Sequence, residues 1–451
     1  MSSAVVPPFE SILNARDPAD VLQSLEQLLE AIENESTRAQ ALTSLHQLAA
    51  ELKQNPIEHL FLQRLDVPGM KEPIQVLLNP AVFSPELWGR TFAEGLLKNP
   101  DSFHGKKVVE LGTGCGWISL LLLNRTSATE ILGLDINPVA ITLANINKWL
   151  NGTRPDGSYV FSLSGVPIPK AFRAEVSDLL GSALARGEKF DRVIGCIPQV
   201  LHPVPEKADQ DGGKLSYQDL YDLSNYCFNQ GILEDRFGLP LIARALEEAQ
   251  LCLSPQGMLT FILGGRPGQA AIEEVFHRRG YKPKLVWVRR IQQADDTDLV
   301  QLVKLEQAFG IKFHFFASPT SRQSIAAATA VGMKERNCKI YHDLLVYQAE
   351  TKFERPTLDF VQNLHEMKLD GLRKELDLSR VSDEQMSFLD RLSSELMHEM
   401  KIRYPHEKSD LRFREKLALF LSVYCHYQVH PEDLFVGPER LQLLAMILKM
   451  V

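Results

Sequence analysis

KKVVELGTGCGWISLLLL, Lys106 to Leu123, decides how the chain is read. A valine-rich strand closes on Glu110, glycines follow at alternate positions, and an apolar helix opens at Trp117. Glycine lets the backbone turn tightly and approach a ligand without a Cβ in the way. Dinucleotide-binding turns use G-x-G-x-x-G to seat a pyrophosphate on a helix N-terminus. Gly112, Gly114 and Gly116 are spaced G-x-G-x-G instead, with an acid two residues ahead. That arrangement suits a nucleoside ligand without phosphate, whose positive charge Glu110 attracts.

The next strand, in ILGLDINP, ends on Asp135, followed by Asn137. Asp135 lies at the distance past the glycines that this βαβ geometry requires of a ribose-binding acid. AEVSDLL then puts Ser177 and Asp178 at a third strand end, where Asp178 suits either an adenine contact or a cap on the next helix. Glu110, the glycines and Asp135 together point to S-adenosylmethionine and methyl transfer, with Trp117, Asn137, Ser177, Asp178 and Cys196 as further cofactor contacts. A fourth strand runs out into FDRVIGCIPQVLHP, Phe190 to Pro203. Many methyltransferases carry Asn-Pro-Pro-Tyr there, to grip a planar amino group. Cys196-Ile197-Pro198-Gln199 has no such Asn, so its backbone carbonyls and apolar wall suit another acceptor, or make a plain strand-end turn.

From Lys106 onward short apolar strands alternate with amphipathic helices, which predicts a mainly parallel, doubly wound α/β sheet. The expected fold is a class I methyltransferase with a Rossmann-like seven-stranded sheet. Its strands are Lys107–Leu111, Ile131–Asp135, Ala171–Val176, Arg192–Cys196, Met258–Leu263, Lys284–Arg289 and Lys312–Phe316. Residues 200–237 are too long for an ordinary connection and read as a functional insertion. Ahead of the domain, 81–350, Asp17-Pro18 opens one helix and a second follows; Ile57–Leu78 then alternates around Val67-Pro68-Gly69 as a β-hairpin, together a cap over 1–80. Residues 351–403 read as a charged connector and 404–451 as a further unit whose apolar helical pattern breaks off uncapped, as a truncated domain would.

The 451 residues carry a net charge of −8, against a nucleic-acid binder that relies on phosphate neutralisation. Six cysteines without a C-x-x-C pair fit a reducing, cytoplasmic setting. The first residues have no signal-peptide pattern, and no apolar run approaches a membrane span. No metal motif stands out.

ELGTGCGWISL, GLDINPVAI, GCIPQVLHP, LSNYCFNQGILEDRFGLPLIARALEE and GGRPGQ resemble the methyltransferase part of the methionine S-methyltransferase family, from about Pro80 to Gln348. The resemblance implies an amino-acid acceptor whose thioether becomes a sulfonium. YPHEKSDLRFREKLALFLSVYCHYQVHPEDLFVGPERLQ resembles the opening of that family's aminotransferase-like region. The Schiff-base lysine of that region would lie far past Val451, so this chain alone is not expected to host pyridoxal phosphate. A thioether needs no general base, so no catalytic acid or base is expected. Ile197, Pro198 and Gln199 would line the acceptor, and Arg266 would pair with its carboxylate or be a surface turn residue. Asn225, Tyr226, Gln230 and Asp235 sit in the insertion; Asp235 either takes the ammonium or opens a helix. Tyr226, Phe237 and Trp117 suit either a sulfonium cage or the core. Gln292–Asp298 is a lid edge or an exposed acidic loop. Glutamine or amide N-methylation and a non-catalytic regulatory module are the rival readings; a homo-oligomer stays open.

Overall fold

The computed structural model describes residues 6–70, 72–199, 233–295 and 297–351. Three helices come first: α1 (Phe9–Asn14), α2 (Pro18–Glu33) and α3 (Arg38–Leu52). Asp17 accepts from the Ala19 amide at 2.8 Å with Pro18 at the first helical position, so α2 starts where its cap dictates. Val21, Leu25, Leu28 and Ile32 of α2 and Leu42, Leu45, Leu48 and Leu52 of α3 are buried. An antiparallel hairpin follows, β1 (Phe61–Leu65) and β2 (Ile74–Leu78), then α4 (Leu87–Leu96).

The sheet is built from β3 (Lys107–Leu111), α5 (Trp117–Arg125), β4 (Glu130–Asp135), α6 (Pro138–Gly152), the short α7 (Ile168–Ala171) and β5 (Phe172–Val176). It continues through α8 (Gly181–Ala185), β6 (Phe190–Gly195), α9 (Pro240–Cys252), β7 (Leu253–Gly264), α10 (Gln269–Arg278) and β8 (Tyr281–Gln292). Then come α11 (Leu299–Phe309), α12 (Ala327–Glu335) and β9 (Tyr341–Thr351). The seven strands are ordered β5-β4-β3-β6-β7-β9-β8, with β9 antiparallel to both its neighbours. Neighbouring strand residues face opposite helical layers: Val108 joins the cluster with α5 and α6, Val109 the cluster with α9 and α10. The N-terminal helices share the first of these clusters, so they pack on the same core as the sheet.

The chain reverses direction of travel between β3 and β6, and the crevice at the carboxyl ends of those strands is where ligands bind in open α/β sheets. The expected strand at Lys312–Phe316 is corrected. Only isolated bridges form there, Phe315 to Ile325 and Phe316 to Tyr341. The seventh strand is β9, whose Leu344, Val346 and Leu345, Tyr347 bury on alternate faces. Insertion residues 200–232, the connector from 352 and the segment 404–451 lie outside the described residues.

Helix α6 also closes the free edge of the hairpin. Asn147 accepts from the Leu77 amide at 2.7 Å and donates to the carbonyls of Leu77 and Cys115 at 3.1 and 3.0 Å. One turn on, Asn151 accepts from the Gln75 amide and donates to the Gln75 carbonyl. Asn147 is fully buried, so Asn147→Leu keeps the volume and strands three backbone groups. It should cost roughly 2–5 kcal/mol in urea unfolding. A loss under about 1 kcal/mol would mean that these groups find other partners.

Candidate functional site

The turn after β3 is held from three directions. Gly112, Gly114 and Gly116 all take positive φ, 67°, 53° and 80°. The amides of Gly112 and Thr113 donate to the Leu134 carbonyl at 2.8 and 3.1 Å, stitching the turn to β4. From above, a Cβ on Gly112 would meet the Cys196 carbonyl oxygen at 3.3 Å and Ile197 Cγ2 at 3.2 Å. Only glycine lets the turn and the 196–199 loop approach this closely.

From beneath comes Glu110, 1% exposed, whose Oε2 accepts from Thr113 Oγ1 at 2.9 Å and Ser119 Oγ at 2.5 Å. The carboxyl group therefore braces the turn from below. Burial, far more than the neighbouring Asp135, raises its pKa from 4.5 to about 8.

Asp135 ends β4 with both oxygens engaged: Oδ2 accepts from the Gly114 amide at 2.9 Å and Oδ1 from the Asn137 amide at 3.0 Å. Each oxygen keeps a second lone pair for a ligand hydroxyl. Burial raises its pKa against those hydrogen bonds. The Asp135 carbonyl accepts from the Ser177 amide at 2.9 Å, which brings the end of β5 to the same edge. Ser177 Oγ accepts from the Ser182 amide at the start of α8. Asp178 Oδ2 pairs with Arg244 at 2.8 Å, while its Oδ1 is enclosed without a partner among the described residues. Between Asp178 and Leu180, Leu179 takes a left-handed φ of 43°, and the Leu180 amide is held by Glu248 at 2.9 Å.

Two expected contacts have other occupations. Asn137 caps α6 by accepting from the Val139 amide and donates to the Ala81 carbonyl, tying the segment before α4 to the site. Trp117 is buried under α4, where a Cβ on Gly89 would stand 2.9 Å from its ring; it belongs to the core. Phe237 likewise packs edge-on against Phe313, ring centroids 6.2 Å apart.

Across the crevice, the Gln199 side chain is engaged by backbone. Its amide donates to the Gly264 carbonyl at 3.2 Å and accepts from the Gly264 amide at 2.7 Å, locking the loop after β6 to the end of β7. Ile197 is buried and Pro198 exposed. Burial pushes the Cys196 thiol up to about 12, so no thiolate forms there near neutrality. Arg266 follows Gly264-Gly265 and makes no ion pair among the described residues; its Nε is enclosed with no acceptor. Burial lowers its pKa.

The side chain of Asp235 and all of Asn225, Tyr226 and Gln230 lie outside the described residues; the Asp235 backbone belongs to a 3-10 turn, Leu233–Phe237. The acidic stretch after β8 uses Asp298 to cap α11 through the Gln301 amide.

Sequence reasoning missed three residues at this edge: Trp88, Arg244 and His342. A Cβ on Gly264 would lie 3.0 Å from the Trp88 ring. His342 had a signal, a polar residue in register with Leu344 and Val346 on a buried face of β9.

This strand order, with a final antiparallel strand inserted beside the fifth and a glycine turn facing two strand-end acids, is the class I fold, and the chain belongs to the S-adenosylmethionine-dependent methyltransferases. No protein-family model matches it. It is similar to the methionine S-methyltransferase of Hordeum vulgare, 38% identical over 370 residues, which is 80% of this chain and 34% of that protein. The enzyme of the same name from Arabidopsis thaliana is 32% identical over 92% of this chain and 40% of that protein. The chain thus spans well under half the length of these relatives. A putative protein N5-glutamine methyltransferase of Methanocaldococcus jannaschii is 30% identical over 176 residues, 36% of this chain and 75% of that protein.

The buried Glu110 gives a pH-dependent outcome. Its carboxyl holds a proton more tightly folded than unfolded, so its contribution to stability is complete below 4.5 and lost as pH rises through about 8. The melting temperature of the ligand-free protein should fall across that window, and Glu110→Gln should flatten the fall. Parallel slopes for parent and variant would mean that Glu110 is ionised throughout.

Proposed function

We propose that this chain transfers a methyl group from S-adenosylmethionine to the thioether sulfur of L-methionine, giving S-methylmethionine. The observation that carries the reading is Arg266, a guanidinium without a counter-charge among the described residues, at the edge of a loop that lacks the amide-gripping Asn. The likeness to methionine S-methyltransferases over most of this chain supports it.

The residues present fit the cofactor. Asp135 takes the ribose hydroxyls through its free lone pairs, and the enclosed Asp178 Oδ1 accepts from the adenine amino group. Glu110 braces the turn from beneath, and the cofactor's positive charge would favour the ionised form of its buried carboxyl. Bound there, S-adenosylmethionine supplies a methyl group already activated on a sulfonium, and a thioether that receives it gives up no proton. The chain therefore needs no general base, only in-line placement, with reacting atoms roughly 3–3.5 Å apart. Ile197 and the Cys196 carbonyl wall the acceptor, and the Gln199–Gly264 clamp fixes that wall. Arg266 holds the acceptor carboxylate with its planar fork.

The same reading makes the chain a cytoplasmic enzyme with a cap over 1–80, a methyltransferase domain over 81–350 and the opening of an aminotransferase-like domain, free of metal. The unpaired thiols of Cys115, Cys196, Cys252 and Cys338 support a reducing compartment, and the net charge of −8 supports small-molecule rather than nucleic-acid partners. Among the described residues no helix is long and apolar enough to cross a membrane.

Labelled S-adenosylmethionine offered with a panel of amino acids should label methionine. Label on glutamine or a peptide amide would transfer the reading to the glutamine N-methyltransferases, and no label at all to a binding module.

Asp135→Ala should weaken S-adenosylmethionine binding by about 2–4 kcal/mol, read by calorimetry. Unchanged affinity in a folded variant removes Asp135 from the cofactor. Arg266→Lys should weaken methionine by roughly 1–3 kcal/mol and the cofactor less, because lysine keeps the charge but loses the fork. The parent should methylate methionine methyl ester poorly; an ester as good as the acid rules out the clamp.

A further inference from the structure

His342 is the most deeply buried polar side chain near the acceptor edge that the reading above leaves idle. It is 3% exposed on β9, its ring centroid lies 6.4 Å from that of Trp88, and neither ring nitrogen has a hydrogen-bond partner among the described residues. Arg266, whose charge it feels, is unpartnered at Nε as well. The Gly265 amide donates to the Asp343 carbonyl at 2.7 Å, which sets Arg266 and His342 on neighbouring backbone, and three enclosed nitrogens without a partner among the described residues are rare in a folded protein.

The chemistry on offer is specific. A neutral imidazole presents one acceptor nitrogen and one N–H, and an Arg presents only donors. The acidic neighbour, Asp343, is already engaged, since its two oxygens hold Arg290 at 2.7 and 2.9 Å. Among these side chains the acceptor left for a cation is the imidazole nitrogen. Burial and the charge on Arg266 push the His342 pKa down to about 3, so it stays neutral and keeps that lone pair across the physiological range. Trp88 adds an aromatic wall at Gly264, within reach of the loop that Gln199 locks.

We propose that His342 receives the α-ammonium group of the acceptor while Arg266 holds its α-carboxylate, so that the pair recognises a zwitterionic α-amino acid by its head group. This rests on the methionine reading and extends it, because it assigns the second charge of the zwitterion. The two charges of an α-amino acid are separated by a single carbon, so the two receiving groups must be neighbours. A charged side chain in the place of His342 would repel one half of the ligand or neutralise Arg266. A neutral acceptor avoids both.

The test compares three acceptors: methionine, its deamino analogue and its decarboxylated analogue. The parent should prefer methionine to either analogue in kcat/KM by about tenfold or more, as sites built to hydrogen-bond a group reject ligands lacking it. In His342→Phe the preference over the deamino analogue should collapse toward unity, while that over the decarboxylated analogue and the KM for S-adenosylmethionine stay near parent values. Arg266→Ala should show the opposite pattern. An unchanged preference for methionine over the deamino analogue in His342→Phe overturns the assignment, as does loss of the carboxylate preference alone. Should His342→Phe fail to fold, the parent decides: with heavy-nitrogen-labelled histidine and S-adenosylhomocysteine bound, methionine should shift the His342 ring resonances and the deamino analogue should leave them in place. No shift with methionine overturns the proposal. A parent that turns over another acceptor and ignores methionine sinks the functional reading itself, a result distinct from loss of His342 selectivity in an active methionine enzyme.

Discussion

A carboxyl group buried beneath a left-handed glycine turn is the constraint on which the carboxyl edge of the sheet depends. Glu110 takes its hydrogen bonds from the turn, through Thr113, and from the helix that follows, through Ser119. With the turn fixed from below, the Gly114 amide meets Asp135, the Leu134 carbonyl takes two turn amides, and Gly112 comes against the backbone of Cys196. Four strand ends, of β3, β4, β5 and β6, are thereby tied into one rim. The arrangement is costly in the absence of ligand, because a carboxyl is held protonated away from water and a guanidinium is enclosed with no opposite charge among the described residues. Such sites are stabilised when a ligand supplies what is missing.

The opposed needs of the two halves of the rim match a pair of small charged ligands. On the proposed reading, Glu110 and Asp135 face a cationic nucleoside on one side and Arg266 a carboxylate on the other. Between them lies a wall with little capacity to exchange protons, since burial holds the Cys196 thiol up at about 12 and the His342 imidazole down at about 3. Silence toward protons suits the proposed reaction, in which a positive charge is handed from one sulfur to another.

Much of this was legible in the sequence, and the failures have physical causes. Strand–helix alternation and the glycine spacing identified the sheet and the turn because local patterns encode buried strands and backbone shape directly. The seventh strand was misplaced because Lys312–Phe316 and Tyr341–Thr351 are both apolar enough to be strands, and pairing with β7 and β8 decides between them. The backbone partners of Gln199 and Asn137 were not legible, because a side-chain amide looks the same in sequence whether it faces a ligand or a backbone. Only the fold shows Gly264 and Ala81 as their partners. His342 hides in an apolar strand whose alternation conceals a single polar member.

The asparagine pair on α6 has a consequence for the hairpin's company. Four residues of helix advance about 6 Å and two residues of strand about 6.6 Å, so Asn147 and Asn151 keep step with Leu77 and Gln75. The helix thus imitates a neighbouring strand, answering amide and carbonyl alternately along an edge that otherwise stands open. An edge answered in this way offers no template to a strand from another chain, and it cannot slide by one residue without losing both asparagines. Two polar side chains on a helix thereby guard the molecule against both fibrous association and slippage of its N-terminal hairpin.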